Sequence, residues 1–338
     1  MSARTFPAQA HPRDSASKPK RSKAGGQVVL RVTLYVKKAF GWAMSEVALG
    51  TEFMEASAAC VVPATELLMG EWLASRGAEV IQHRGRYWQR TVTGFYEPVH
   101  WLAKLKQAEL SRPSWHCWGY RAYLDPSAQG EANSRMPVSL LEDVGRYAID
   151  ALPSKRRSDL RKSEKLVTFI KLNNNKILME QGCEVDQSAY QRTGYGAPPH
   201  QEDYRAEDYS EMPFRIVLAG MIGRDLGGYL TAYAVDEVAY IHKISLATRH
   251  LKSAIGTGLV LNFVRLCQRS PGIKKIVYGL HSIEDPPLVA FKEGLGFATV
   301  LLPSYVWMLP GMRKLIELNR PYAHYRLTGA TLKIPGIG

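Results

Sequence analysis

The chain of 338 residues is 46% hydrophobic and 22% charged, with a formal net charge of +13 at pH 7. That length buries a substantial core, as one large or two ordinary globular domains. No apolar run approaches the roughly 20 residues that a membrane-spanning helix needs.

Residues 1–26 hold Arg4, Arg13, Lys18, Lys20, Arg21 and Lys23 against Asp14 alone, with three prolines among them. This composition predicts a disordered basic tail without the apolar core of a secretion signal; it also fits an organelle transit segment. Gln27–Val36 is strand-like. Thr65–Arg76 reads as a helix with Leu67, Leu68 and Trp72 on its apolar side and Gly77 as a stop. Val80-Ile81, Tyr87–Thr93 and Trp115–Tyr123 are predicted strands, Trp101–Leu110 a helix, and 124–137 a loop. Strands mixed with helices over 27–150 define a first half.

The run from Leu152 to Lys165 is strongly basic. Pro153-Ser154 is a helix start with Ser154 as cap, and Arg157, Arg161 and Lys165 recur at four-residue spacing on one face, with Arg156 and Lys162 on neighbouring stripes. Like charges so spaced repel by a few tenths of a kcal/mol per pair. An anion offsets that repulsion, and so do salt, Asp159 and Glu164. The segment from Gly194 to Glu211 is aromatic and acidic, a linker or an acceptor-side loop, and Phe214–Met221 follows as a strand.

Gly228–Val235 and Val238–Leu246 are two β-like runs separated by Asp236-Glu237, a hairpin. Then come Arg249, His250 and Lys252, and Gly256-Thr257-Gly258 opens a helix from Leu259 to Cys267. Glycine lets a ligand approach the backbone, and the free N–H groups of a first turn suit an anion. G-x-G alone is short and common, and equally describes loop glycines before an ordinary amphipathic helix. Ile273–Leu280 is a buried-type strand, Pro286-Pro287 starts a helix lined by Leu288, Phe291 and Leu295, Gly294 and Gly296 end it, and Phe297–Leu302 is a final strand.

This order resembles the GNAT acyltransferase fold, and within it the double-GNAT branch that includes the FemAB-like and BioF2-like transferases. The residues that carry the resemblance are Gly256-Thr257-Gly258 after the hairpin, Phe291-Lys292-Glu293-Gly294-Leu295-Gly296, and the basic run Leu152–Lys165. It covers roughly residues 150 to 302; the first half matches by element order alone. The resemblance implies an α/β (α+β) fold of two tandem GNAT-like halves with mixed central sheets: a degenerate half over 27–150, a catalytic half over 151–330, and a tail over 331–338. It implies an N-acyltransferase that moves an acyl group from acetyl-CoA or another acyl-CoA to an amine. The donor would lie on Lys252, Ile255, Gly256, Thr257 and Gly258. Two departures stand out. Ser253 holds the place where GNAT enzymes carry Gln or Arg, and Lys292 the place of their tyrosine acid. In the FemAB-like branch a lysine there helps to neutralise developing charge, which suits an oxyanion.

Transfer to an amine needs a base or a water chain. His242 precedes the phosphate loop and is the candidate, with His281, Asp285 and Glu237 as weaker ones; a lone strand histidine is also an ordinary structural residue. Arg157, Arg161 and Lys162 are the candidate contacts to a substrate anion. Beyond the tail the body keeps a charge of +8, which favours an anionic partner such as CoA, a nucleotide-linked substrate, RNA or an acidic peptide. Two other readings stay open: an aminoacyl-tRNA-dependent transferase, favoured by the basic helix, and a non-catalytic GNAT-like binding protein, favoured by Ser253. The four cysteines lack C-x-x-C spacing and the nine histidines lack H-E-x-x-H spacing. Reduced thiols in a cytoplasmic compartment and no metal are therefore expected.

Overall fold

The structure is a computed structural model that describes residues 52–194, 199–202, 204 and 212–329. The predicted basic tail, the strand at Gln27–Val36 and the tail at 331–338 lie outside these residues. In chain order the elements are β1 (Phe53–Glu55), α1 (Glu66–Ser75), β2 (Val80–His83), β3 (Arg86–Val92), β4 (Phe95–Pro98), β5 (Gly119–Tyr123) and β6 (Ser134–Leu141). Then follow α2 (Ser154–Leu166), β7 (Thr168–Leu172), α3 (Cys183–Thr193), β8 (Arg215–Ile222), β9 (Asp225–Val235) and β10 (Val238–Leu246). The chain continues with α4 (Ile255–Arg269), β11 (Lys275–Leu280), α5 (Pro286–Gly294), β12 (Ala298–Met308), α6 (Met312–Asn319) and α7 (Pro321–Thr328).

The chain forms two compact units, and neither is continuous. One holds the residues up to Pro63 with Glu142–Ile276, the other Ala64–Leu141 with the residues from Val277 onward. The sequential halves expected on either side of residue 150 are therefore replaced by an exchange of segments. β11 carries the chain from the first unit into the second.

In the first unit β1, β7, β8, β9 and β10 pair antiparallel in that order. The β9–β10 hairpin is the expected one. Val235 pairs with Val238 across a two-residue loop whose Asp236 is left-handed, φ 50°. A π turn (Leu178–Gly182) and α3 cover one face of these strands, burying Ile170, Leu172, Leu178, Val185, Val217 and Tyr229 together. α4 buries most of its length against β8, β9 and β10. Its first residue, Ile255, fits only because two strand residues are glycine. A Cβ on Gly220 or Gly227 would lie 2.7 or 2.9 Å from Ile255 Cδ1.

In the second unit β12 pairs antiparallel with β6 and with β5. β4 runs parallel to β5, and β3 and β2 complete the row antiparallel. Trp88, Tyr96, Leu105 and Tyr120 are its core, with Trp88 edge-on to Tyr120 at 5.5 Å. α1 starts where expected, Thr65 accepting the Leu68 N–H as cap at 3.2 Å.

Two expectations in this stretch fail. Trp101–Leu110 is not a helix; Ala103 and Leu105 are buried while Lys104 and Lys106 are exposed, a period of two, and Leu105 bridges Leu124. The predicted loop over 124–137 contains a 3₁₀ turn (Pro126–Glu131) and the start of β6, where Pro137 sits opposite Leu301.

Candidate functional site

The donor loop predicted from the glycines is built in the first unit. β10 ends at Leu246 and the chain turns through a 3₁₀ segment, Thr248–Ser253. Ser253, where a Gln or Arg was expected by resemblance, is buried and donates its hydroxyl to His250 O at 2.7 Å. It shapes the turn and presents no charge. Ala254 then takes a left-handed conformation, φ 58°, and α4 begins with no side chain capping it. The amides of Ile255, Gly256 and Thr257 have no acceptor within the helix, and they stand at the positive end of its dipole. Lys252 beside them is exposed and has no ion-pair partner among the described residues. Arg249 is committed elsewhere, to Glu184 and to Asp225 at 3.6 Å.

Gly258 also has a packing role. A Cβ there would lie 2.2 Å from Phe169 Cζ and 2.6 Å from Ser163 Oγ. This glycine is where α4 meets α2 and β7. The contact buries Leu160 and Ser163 of α2 and leaves Arg157, Arg161 and Lys162 exposed, without ion-pair partners among the described residues. Arg156 pairs with Asp159 at 3.5 Å. The cap position is Pro153, with Ser154 the first helical residue, so the expected serine cap is not used.

His242 is exposed on β10, at a β-bulge between Ile241 and Lys243 that breaks the strand's alternation. Its ring lies 6.4 Å from that of Tyr233, which stacks on Tyr240 at 4.9 Å. Next to the bulge is a constellation that the sequence did not reveal. Asp186 of α3 is buried and accepts from the Tyr229 hydroxyl at 2.8 Å, from the Tyr204 hydroxyl and from Lys243 Nζ at 2.5 Å. Burial first, then the Asp186 carboxylate, push both phenols up, so they stay protonated donors. No spacing rule joins positions 186, 204, 229 and 243; Asp186, Tyr229 and Lys243 come from α3, β9 and β10, and Tyr204 from the segment between α3 and β8. Glu237, a weaker candidate base, is paired with Lys274 at 2.7 Å.

Lys292 belongs to the second unit. Asp285 caps α5 by accepting the Leu288 N–H at 3.1 Å, and Pro286 follows it. Lys292 is only 4% exposed. Its Nζ donates to Leu280 O at 3.1 Å and lies 4.9 Å from the centre of the Tyr278 ring. Burial lowers its pKa to about 8; the Arg326 charge adds to this, while Asp285 and Glu284 oppose it. His281 is hydrogen-bonded to the Tyr325 hydroxyl at 3.0 Å. The candidate residues are thus divided: His242, Lys252, Ile255, Gly256, Thr257, Gly258 and the α2 cations in the first unit, Lys292 in the second. Among the described residues no group of His, Cys, Asp or Glu is placed to hold a metal ion, and no helix is long and apolar enough to cross a membrane.

The mixed α/β architecture agrees with the GNAT-like class of fold expected from the sequence. Over 92% of this chain and 99% of the other, the chain is similar to the C-terminal domain (DUF2156) of a putative lysylphosphatidylglycerol synthetase from Agrobacterium fabrum, with TM-score 0.52 and 12% identity. It is also similar to FemX, with TM-score 0.49 and 9% identity over 78% of this chain and 96% of that one. L-PGS from Bacillus licheniformis gives TM-score 0.47 and 9% identity over 79% of this chain and 93% of that one. No protein-family model matches the sequence, and no curated protein matches it by sequence.

Proposed function

We propose that this chain is an N-acyltransferase that takes an acyl group from acetyl-CoA or another acyl-CoA and passes it to a small-molecule or peptide amine. The observation that carries the reading is the uncapped start of α4: three amides without intrahelical acceptors, turned into place by Ala254, beside the exposed Lys252. That arrangement suits a pyrophosphate. His242, exposed at the bulge on the strand that leads into the loop, is the base that takes the ammonium proton. Lys292, buried in the second unit, stays protonated at neutral pH with its pKa of about 8, which the charge-neutralising role implied by the resemblance requires. Titration calorimetry with acetyl-CoA tests the reading: heat and thermal stabilisation are expected, and their absence with acetyl-CoA and longer acyl-CoAs would overturn it.

The second reading, an aminoacyl-tRNA donor, is favoured by one observation. Arg157, Arg161 and Lys162 stand exposed on α2, where a nucleic-acid backbone could meet them. Activity with a charged-tRNA donor that RNase abolishes would select it over acyl-CoA.

A further inference from the structure

We infer that Lys243, held by Asp186, anchors a carboxylate on the acceptor, so that the amine receiving the acyl group belongs to a molecule that also carries a carboxylate, such as an amino acid or a short peptide. The inference rests on the acyltransferase reading for its chemistry, but its geometry stands alone. Asp186 is 6% exposed and has two phenols as donors besides Lys243, so its charge is well satisfied without drawing the whole ammonium inward. The Lys243 side chain is 43% exposed. An ammonium has three donors, and among the described residues only Asp186 takes one.

Directly opposite Lys243 in the β9–β10 ladder is Thr231. It is 2% exposed, and its hydroxyl has no hydrogen-bond partner among the described residues. Residues opposed in an antiparallel pair share a face, with Cβ atoms about 5 Å apart. Lys243, a cation with spare donors, and Thr231, whose buried hydroxyl lacks an acceptor, are therefore opposed on one face, next to the bulge that presents His242. Arg192 of α3 adds a second exposed cation along this seam, donating to Leu246 O at 3.1 Å and to Thr248 Oγ1 at 2.8 Å. With two cations against one buried carboxylate the seam attracts an anion. A single ammonium and a hydroxyl match the two oxygens and single charge of a carboxylate. They match poorly the extra charge of a phosphate, which other sites meet with planar arginine forks.

The test is binding, which needs no acyl donor. A panel of N-acetyl amino acids and their uncharged amides is titrated onto the full chain by saturation-transfer NMR. At least one acid is expected to bind and its amide to bind at least tenfold more weakly. Thr231→Val, matched in shape, is expected to weaken the acid about fivefold without lowering Tm, because no protein hydrogen bond is lost. Thr231→Ser retains binding. Lys243→Arg keeps the pair with Asp186 and weakens binding, whereas Lys274→Ala, which removes the partner of Glu237 in the hairpin turn, leaves it unchanged. Equal binding of acid and amide, no acid bound at all, or wild-type binding by Thr231→Val would each overturn the inference. Calorimetry with acetyl-CoA on the same proteins separates the two ideas. Carboxylate binding without acetyl-CoA binding sinks the acyltransferase reading alone; acetyl-CoA binding without acid-over-amide preference sinks the anchor alone.

Discussion

A lysine buried to 4% exposure in α5 sets the chemistry open to this protein at the residue scale. Its folded pKa of about 8 lies below the ordinary 10.5, with desolvation as the main cause. Between those values the unfolded chain holds a proton that the folded chain has released, so Lys292 makes stability rise with pH across that window; below pH 8 its cost is constant. Lys292→Met removes the dependence. The difference in unfolding free energy between variant and wild type, measured by urea melts at pH 7.5 and 10, is expected to shift by up to about 3 kcal/mol; parallel stabilities would show that the amine is solvated. The same proton enters the proposed catalysis. If the cation stabilises the oxyanion, kcat falls as pH rises through about 8. Lys292→Arg, which stays charged, should lose that alkaline fall, and a limb that persists would assign it to another group.

At the scale of elements, α4 joins two tasks that the sequence merged into one. Gly256 and Gly258 read together as a phosphate-binding pair, yet Gly258 is the point where α4 touches Phe169 and Ser163. Gly258→Ala is expected to cost about 1–3 kcal/mol by overpacking, seen as a lower Tm in calorimetric scans. Lys252→Glu is expected to weaken acetyl-CoA about tenfold with Tm unchanged, because its side chain is exposed; equal affinity would remove Lys252 from the donor seat. What was legible here was local. The hairpin, the turn into α4 and the cap of α5 are each written within a dozen residues by alternation, glycine and a capping aspartate. Asp186 was not legible, because its partners sit on β9, on β10 and at Tyr204, as much as 57 residues away. Nor was the bulge at His242, since a one-residue slip in a strand leaves composition unchanged. The segment at 103–106 was not legible because two alternating buried positions, Ala103 and Leu105, are too short a run to mark a period of two.

At the scale of the whole molecule, the exchange of segments between the units governs what can be cut. Dividing the chain at residue 150 looked natural, since a basic helix begins at Ser154. Yet β12 pairs on one side with β6, through Ala298↔Leu140 to Ser304↔Ser134, and on the other with β5, through Ser304↔Tyr123 to Met308↔Gly119. Both partners precede residue 150. β7 likewise pairs with β1 at Phe53↔Leu172. A fragment of residues 151–338 therefore carries β12 without either neighbour, two rows of unpaired backbone groups that cost free energy or recruit other chains. It also loses Trp88, Tyr96, Leu105 and Tyr120, the core of the second unit. We expect this fragment to aggregate or to lack a cooperative thermal transition, and co-expression with residues 52–150 to restore a soluble complex with one. A monomeric, cooperatively folding 151–338 fragment, seen by sedimentation and by a dispersed amide spectrum, would show that this fragment stands alone and that the pairing of β12 with β5 and β6 is dispensable.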